Sequence, residues 1–329
     1  MSGPPDVDYT ATSARPSWSA LPAGLQEALA VALGTDIVEA GPSVGSGFTG
    51  GFAAPLRLAD GREVFVKAAD DPMHAYTAYQ REAEIVPQLP PAVRVPRIVA
   101  TAHATDGDTK WFAVAAERLV ARMPGQPWTP GDFQAVTANC EVMAAALTPS
   151  PFADLVSFAD IIGDPDFPDQ LAADIIAGRR PLPDGFQPWL GDRLRELQDL
   201  ADLHPHALRG TAAIHGDLRP DNLLMDATNQ CWTVDWNWLS LGPPWFDWVG
   251  LLPLAHRDGI DTAAAIEASP LTAGIPADDL DSATAIIALY FLDKLDAPPP
   301  LGTTLELRRH QRLYAWTFLD WLAARRDWA

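Results

Sequence analysis

Hydrophobic and polar positions follow two different patterns along the chain, and the pattern changes near residue 118. Between residues 37 and 69, short apolar runs alternate with glycines and polar turns, which is typical of strands. The dipeptide Asp60-Gly61 separates two of these runs, 56–58 and 64–66, and this arrangement predicts a β-hairpin. Three more elements are predicted in this part of the chain: a helix over 21–33, a helix over 75–86 and a strand over 111–116.

After residue 118 most apolar residues recur at helical spacing, which predicts helices over 133–147, 189–203, 282–292 and 305–322. A second hairpin interrupts them, formed by the apolar runs 222–225 and 231–234. The sequence therefore predicts an α+β fold with a small N-terminal lobe, built from an antiparallel sheet and a helix, and a larger, mostly helical C-terminal lobe. The expected boundaries are a flexible tail over 1–16, the N-terminal lobe over 17–118 and the C-terminal lobe over 119–329.

The 329 residues include 43 acidic and 23 basic side chains, which gives a formal net charge of −20. No basic patch interrupts this excess, so nucleic acid is not an expected partner, whereas a small cation would be attracted. Cys140 and Cys231 lack the spacing of a disulfide framework or a metal site, and we expect reduced, buried thiols. Because neither a membrane-spanning run nor a signal-peptide pattern is present, a cytoplasmic protein without membrane contact is expected.

A glycine-rich segment, Gly45-Ser46-Gly47-Phe48-Thr49-Gly50, matches the pattern G-x-G-x-x-G. A dinucleotide-binding site would need a helix directly after these glycines, whereas strand-like runs follow them. This context favours a loop of the protein-kinase type, in which the backbone N–H groups of Gly45, Ser46, Gly47 and Gly50 cover the phosphates of a nucleotide. An ordinary glycine turn is the alternative.

Lys67 ends the apolar run 64–66 and is a candidate to hold nucleotide phosphates. Its flexible side chain needs a carboxylate to fix it, and both Glu82 and Glu84 lie on the helix predicted over 75–86. We favour Glu82, which lies further from the proline that ends the helix. Taken alone, a solvated edge lysine and a solvated glutamate are the alternative interpretation.

The strongest motif is His215-Gly216-Asp217-Leu218-Arg219-Pro220-Asp221-Asn222, which matches H-x-D-x-x-x-x-N, and Asp235 follows Asn222 by thirteen positions (222 to 235). Phosphoryl transfer needs little covalent work from the protein, so its site has to orient a hydroxyl and neutralise polyphosphate charge. Asp217 can accept the proton of the attacking hydroxyl. Asn222 and Asp235 can supply oxygen ligands to Mg²⁺, while His215 holds the loop.

These motifs resemble those of the aminoglycoside phosphotransferase family, which has a protein-kinase-like fold. HGDLRPDNLL is similar to the catalytic loop of that family, and VDW followed by LGPPWFDWVGLL is similar to its metal-binding aspartate segment. The resemblance implies ATP and Mg²⁺ as cofactors and Asp217 as the catalytic base. It implies three further roles: magnesium binding by Asn222 and Asp235, a nucleotide-anchoring ion pair of Lys67 with Glu82, and a structural Asp247 that ties the catalytic loop to the following helix.

Asp235 and Asp247 are only twelve positions apart (235 to 247), which leaves no room for the activation loop of a protein kinase, so a small-molecule hydroxyl acceptor is expected. The resemblance favours an amine-bearing acceptor, such as an aminoglycoside or another antibiotic, and a role in antibiotic resistance. A metabolic amino-alcohol or amino sugar is one alternative, and a catalytically silent nucleotide-binding protein is another. Candidates to contact ammonium groups are acidic residues of the C-terminal lobe that also fit helix caps or surface charges: Asp278, Asp279, Asp281, Asp293 and Asp296.

Overall fold

The computed structural model of the chain describes residues 4–162 and 171–328. The strands are β1 Ile37–Ala40, β2 Phe52–Leu58, β3 Glu63–Asp70, β4 Ile98–Asp106, β5 Thr109–Glu117, β6 Ala121–Arg122, β7 Ala212–Ile214, β8 Leu223–Asp226, β9 Cys231–Thr233 and β10 Ser240–Gly242. The α-helices are α1 Ala23–Leu33, α2 His74–Ile85, α3 Pro130–Ala146, α4 Phe158–Ile162, α5 Leu171–Ile176, α6 Leu190–Ala201, α7 His204–Ala207, α8 Phe246–Val249, α9 Leu252–Arg257, α10 Thr262–Ala268, α11 Ala277–Lys294 and α12 Glu306–Arg326.

Five antiparallel strands form the first sheet, in the order β1-β2-β3-β5-β4. The predicted hairpin is confirmed, because β2 pairs with β3 across residues 59–62, and Gly61 takes a left-handed φ of 87° in this turn. β4 is absent from the sequence prediction. Apolar and polar residues do alternate along its residues 100–104, but the apolar ones are alanines, which are small and depleted in strands, so the signal is weak. Pairing with β5 and packing of these alanines in the core with α1 hold the strand.

The two faces of this sheet carry one helix each. Leu25 and Leu29 of α1 pack on the face that holds Val64 and Val66. Because successive side chains of a strand point to opposite faces, Lys67 lies on the other face, where α2 packs. The alternation along β3 therefore directs the lysine toward the helix that bears the candidate glutamates.

The remainder of the described chain is mainly helical. Its core joins the long helices α11 and α12 to α6 and α9 through buried Leu, Ile and aromatic side chains. The predicted second hairpin is confirmed as β8 and β9, and the side chain of Asp226 closes its turn by accepting hydrogen bonds from the backbone N–H groups of Thr228 and Gln230. The mixed architecture agrees with the predicted α+β class.

Residues 8–15, the N-terminal strap, are packed in the structure, although the sequence predicts a mobile tail over 1–16. Thr12 is fully buried, and its hydroxyl donates to the carbonyl oxygens of Gly45 and Gly47 at 3.0 and 2.8 Å. The backbone of Thr12 also accepts from the N–H of Thr304 at 3.2 Å. Backbone pairing, the buried hydroxyls of Thr12 and Ser13 and the guanidinium of Arg15 hold this segment. None of these contacts leaves the apolar periodicity by which a sequence reveals an ordered element.

Two further expectations concern the thiols and the membrane. Cys140 and Cys231 are both free and buried, as predicted, and burial raises the pKa of each thiol. Within residues 4–162 and 171–328, no helix combines the length and the apolar character required to cross a bilayer.

Candidate active site

The loop of residues 215–222 connects β7 to β8 and carries the main candidate side chains. Gly216 has a left-handed φ of 78°, and a Cβ at this position would lie 2.7 Å from the carbonyl oxygen of Trp238. Only glycine fits both conditions, so the second residue of the motif is set by the backbone.

His215 and Asp247 hold this loop in place through hydrogen bonds. The Asp247 carboxylate accepts from the backbone N–H groups of His215 and Gly216 at 2.7 and 3.0 Å. His215 is fully buried, its Nε2 lies 2.9 Å from the carbonyl oxygen of Val234, and burial lowers its pKa, so the ring is neutral. Since Nε2 donates to that carbonyl, Nδ1 accepts from the N–H of Asp217 at 3.3 Å. These contacts support structural roles for both side chains.

Asp247→Ala is expected to lower the free energy of unfolding by about 2–4 kcal/mol, because it leaves two buried N–H groups of the loop without an acceptor. Urea denaturation followed by circular dichroism measures the effect. Asp192→Ala removes an exposed carboxylate and serves as the matched control, with a change within about 0.5 kcal/mol. Equal stability of the two variants would show that Asp247 does not hold the loop.

Lys67 joins the sheet to the segment that follows the second hairpin. Its Nζ donates to both oxygens of Glu82, at 3.1 and 2.8 Å, and to Oδ1 of Asp235. Glu84, the alternative partner, is exposed. The backbone N–H of Asp235 donates to Glu82 Oε1 at 3.2 Å, and Asp235 has a left-handed φ of 64°. These contacts bring residues from β3, from α2 and from the segment after β9 into one cluster.

The electrostatics of this cluster follow from its shared cation. Burial alone would lower the pKa of Lys67, but the carboxylates of Asp235 and Glu82 outweigh burial and raise it. The pKa of Asp235 is lowered although burial opposes this, because Lys67 lies in contact. Burial keeps the pKa of Glu82 above its usual value. Lys67 is therefore a permanent cation that holds Asp235 as a carboxylate.

Asn222 lies buried beside the catalytic loop, and its Nδ2 donates to the carbonyl oxygen of Asp217 at 2.7 Å. With the amide nitrogen occupied, the amide oxygen is the atom left for a cation. The residues that the structure describes contain no group of three or more His, Cys, Asp or Glu side chains able to hold a metal ion. Carboxylate and amide oxygens such as those of Asp235 and Asn222 are the type of donor that suits Mg²⁺, which takes one or two protein oxygens together with water and phosphate oxygens.

Arg219 is a site residue that the sequence analysis missed. Its guanidinium donates to the Asp217 carboxylate and to both oxygens of Asp221, at 3.0 Å each. Burial raises the pKa of Asp217 to about 6, against the opposing effect of Arg219. A cation two positions after the candidate base, within the same tight loop, is the signal that would have revealed it.

The glycine-rich segment lies between the N-terminal strap and Gly302. A Cβ on Gly45 would meet the carbonyl oxygen of Thr10 at 2.0 Å, and a Cβ on Gly50 would meet Gly302 at 2.4 Å. Carbonyl oxygens of the segment accept from the strap, for example that of Ser46 from Arg15 at 2.7 Å. Among the described residues, the backbone N–H groups of residues 45–50 have no acceptor. Close packing within the chain thus explains why glycines occupy these positions. The backbone N–H groups of the segment remain available as hydrogen-bond donors.

A cavity of about 450 Å³ opens beside Asp217 and Arg219. Its described walls come from the glycine-rich segment, the catalytic loop, α4, α11 and α12. Trp238 lines it and is 44% exposed, whereas Trp245 and Trp248 are buried in the helical core. The cavity has room for a small organic molecule next to the candidate base.

None of the five acidic candidates for ammonium contacts lines this cavity. Asp281 binds Arg325 and Arg326 at 2.5 and 2.6 Å, and Asp278 binds Arg326 at 2.5 Å. Asp293 is paired with Lys294 at 2.9 Å and with the distant Arg180. Intramolecular ion pairs therefore account for these three carboxylates.

Several solved structures similar to this chain are aminoglycoside phosphotransferases. Spectinomycin phosphotransferase APH(9)-Ia has a TM-score of 0.61 and 12% identity, with 93% of this chain and 98% of that chain covered. A thermostable mutant of APH(4)-Ia has a TM-score of 0.60 and 13% identity, with 91% and 98% covered. An aminoglycoside phosphotransferase from Alicyclobacillus acidocaldarius has a TM-score of 0.58 and 16% identity, with 93% and 96% covered. At these identities the likeness shows a shared kinase-like fold.

The sequence comparisons identify the family. No sequence among the curated proteins matches the chain significantly. The sequence model of the phosphotransferase enzyme family matches residues 47–283, well over half of the chain, and this range includes most of the glycine-rich segment, Lys67, the catalytic loop and Asp247. The chain therefore belongs to the phosphotransferase enzyme family.

Proposed function

We propose that this protein transfers the γ-phosphate of ATP to a hydroxyl of a small organic molecule, with Mg²⁺ as cofactor. One observation carries the proposal: Lys67 of the sheet is in contact with Asp235, which lies 168 positions later in the chain. This contact brings a phosphate-binding cation to the carboxylate that would bind magnesium. Residues 17–118 are proposed to supply most of the nucleotide site, and residues 119–329 the catalytic loop and the acceptor site.

Several groups of the chain support nucleotide binding. Lys67, fixed by Glu82, can bind α- and β-phosphate oxygens, and the N–H groups of residues 45–50 can donate to phosphate. Asn222 and Asp235 would hold Mg²⁺, which neutralises polyphosphate charge when it is bound. Similar structures have been solved with ADP and hygromycin B, with AMP-PNP and hygromycin B, and with GDP and kanamycin.

Asp217 is proposed to orient the acceptor hydroxyl and to accept its proton as the oxygen attacks phosphorus. The loop holds it in place through His215, Asn222 and Asp247. Arg219, paired with Asp217 in this structure, supplies positive charge beside the transferring group.

The pH dependence follows from the pKa of Asp217, which burial raises to about 6. A base has to be unprotonated, so kcat/KM is expected to rise with pH, to reach half of its maximum near pH 6 and to level off above about pH 7. Initial rates measured between about pH 5 and pH 8 test this. A plateau that extends down to the acidic end of this range would contradict the assignment of the buried Asp217 as the base.

An amine-bearing acceptor is the class that the sequence favours, and similar proteins have been solved in complex with hygromycin B, kanamycin and spectinomycin. These molecules form one group of candidate acceptors in an assay of phosphate transfer from ATP. The other groups are neutral and anionic alcohols. They are included because Asp278, Asp281 and Asp293, the carboxylates expected to bind an ammonium group, are paired with basic side chains of the chain itself.

Calorimetric titration tests the nucleotide part of the proposal without any acceptor. ATP is expected to bind in the presence of Mg²⁺ and to bind more weakly when EDTA removes the metal. A parallel titration with GTP shows whether the site prefers adenine or guanine as the nucleobase. A protein that binds neither nucleotide under any of these conditions would overturn the proposed function.

A further inference from the structure

The cavity beside Asp217 offers little negative charge to an acceptor. Among the described residues, three carboxylates line it: Asp217, Asp235 and Asp247. Asp235 is paired with Lys67, and Asp247 is engaged by backbone N–H groups of the catalytic loop. Asp217 is the candidate base for the hydroxyl. The described walls therefore contain no further carboxylate to receive an ammonium group.

Most of the cavity wall is apolar and aromatic. The ring of Phe158 lies 4.5 Å from that of Phe246, and the ring of Phe291 lies 5.0 Å from that of Tyr314. Ile286 of α11 adds aliphatic surface. A polyamine sugar placed against such a wall would lose water from its polar groups without gaining hydrogen bonds, which is unfavourable. An apolar ligand gains from the same contact.

The remaining charged groups on the wall are cationic. Lys294 lines the cavity and is neutralised in part by Asp293, which lies 2.9 Å away. Arg308 of α12 lines it as well, and no carboxylate among the described residues forms an ion pair with it. This guanidinium is the one cation of the described wall that lacks a carboxylate partner.

The contacts of Arg308 leave part of its hydrogen-bonding capacity unused. Its terminal nitrogens donate to the side chain of Gln311 and to the carbonyl oxygen of Pro298, which are both neutral. Its Nε is buried and has no hydrogen-bond partner among the described residues. Burial lowers the pKa of this guanidinium, and the neighbouring Tyr290 opposes this effect only in part. An anionic ligand group would supply both the missing charge and the missing acceptor.

We propose that the acceptor is a largely apolar alcohol that carries an anionic group, and that Arg308 binds this group. The inference rests on the proposed phosphotransferase function, because it names the acceptor class of the same site. The net charge of −20 acts over the whole surface, whereas the cavity presents a local cation between apolar walls. Here the local charge decides what binds, since screening weakens the remote charges.

A pair of fluorescent probes tests the anion site without nucleotide: anilinonaphthalenesulfonate and its uncharged parent, phenylnaphthylamine. Arg308→Gln is expected to raise the dissociation constant of the sulfonate about ten- to hundredfold and to leave that of the uncharged probe unchanged. Arg308→Lys, which keeps the charge, retains most of the affinity. Arg309→Gln makes the same change on an exposed neighbour and is expected to have no effect. Thermal melting of each variant shows whether it is folded.

A matched pair of acceptors then tests the class with ATP and Mg²⁺: ω-hydroxydodecanoate and ω-aminododecanol. The carboxylate is expected to have at least a roughly tenfold higher kcat/KM, and Arg308→Gln abolishes this preference. Sulfonate binding that is insensitive to Arg308→Gln, or a preference for the amine, would overturn the inference, and turnover of the amine would still leave the proposed function standing. Absence of nucleotide binding would overturn the proposed function and, with it, the role of the bound molecule as an acceptor. The probe titration contains no nucleotide, so it tests the anion site at Arg308 separately.

Discussion

Asp217→Asn is expected to lower kcat by about 10³-fold or more while the dissociation constant of Mg·ATP changes less than about threefold. The variant keeps the size of the side chain and removes its ability to accept a proton. Nucleotide binding is retained because Lys67, Glu82 and Asp235 form a separate cluster. The measurement combines initial rates of ADP formation with a calorimetric titration of ATP.

Asp192→Asn is the matched control for this variant, since it makes the same change at an exposed position of α6. Its kcat is expected to equal that of the unmodified protein. If Asp217→Asn turned over at the rate of this control, Asp217 would not be the base. If Asp217→Asn lost ATP binding as well, its role would be structural.

Lys67→Met is expected to lower kcat/KM for ATP by about 10²–10³-fold, because it removes a preorganised cation from the phosphates. The variant also leaves Glu82 and Asp235 side by side without their shared counter-ion. Breaking a buried ion pair from one side costs about 3 kcal/mol of the free energy of unfolding. Steady-state kinetics with varied ATP and urea denaturation measure the two effects.

A double variant separates catalysis from stability in this cluster. Lys67→Met combined with Glu82→Gln removes one of the two carboxylates that repel each other, so part of the lost stability is expected to return while activity stays low. Lys110→Met, an exposed lysine of β5, is the control for loss of a positive charge. Wild-type kinetics in Lys67→Met would contradict the assigned role of this lysine in nucleotide binding.

Local signals in the sequence predicted much of the fold. The Asp60-Gly61 turn between two apolar runs predicted the first hairpin. The face of the sheet on which Lys67 lies became clear from the structure. β4 went undetected, because its inward-facing residues are mainly alanines, whose alternation with polar residues is a weak signal for a strand. The N-terminal strap was missed for a related reason, since backbone hydrogen bonds and the buried hydroxyl of Thr12 fix it.

The candidate site, too, was predictable from the sequence only in part. The catalytic loop is contiguous in sequence, so the spacing of its residues is enough to suggest a chemistry. The cavity is assembled from distant parts of the chain, for example Phe48, Phe158, Ile286 and Arg308. No local pattern links these positions. Asp278 and Asp281 looked suitable from their charge, and their pairing with Arg325 and Arg326 is visible only in three dimensions.

The most direct test of the central claim is the transfer of radiolabelled γ-phosphate from ATP to an organic acceptor. The unmodified protein, Asp217→Asn and Asp192→Asn are incubated side by side with Mg²⁺ and the combined set of cationic, neutral and anionic alcohols. Label is expected in an organic phosphate with the unmodified protein and with Asp192→Asn, and to be absent with Asp217→Asn. Equal transfer by all three proteins, or ATP bound with no transfer to any alcohol, would contradict the account.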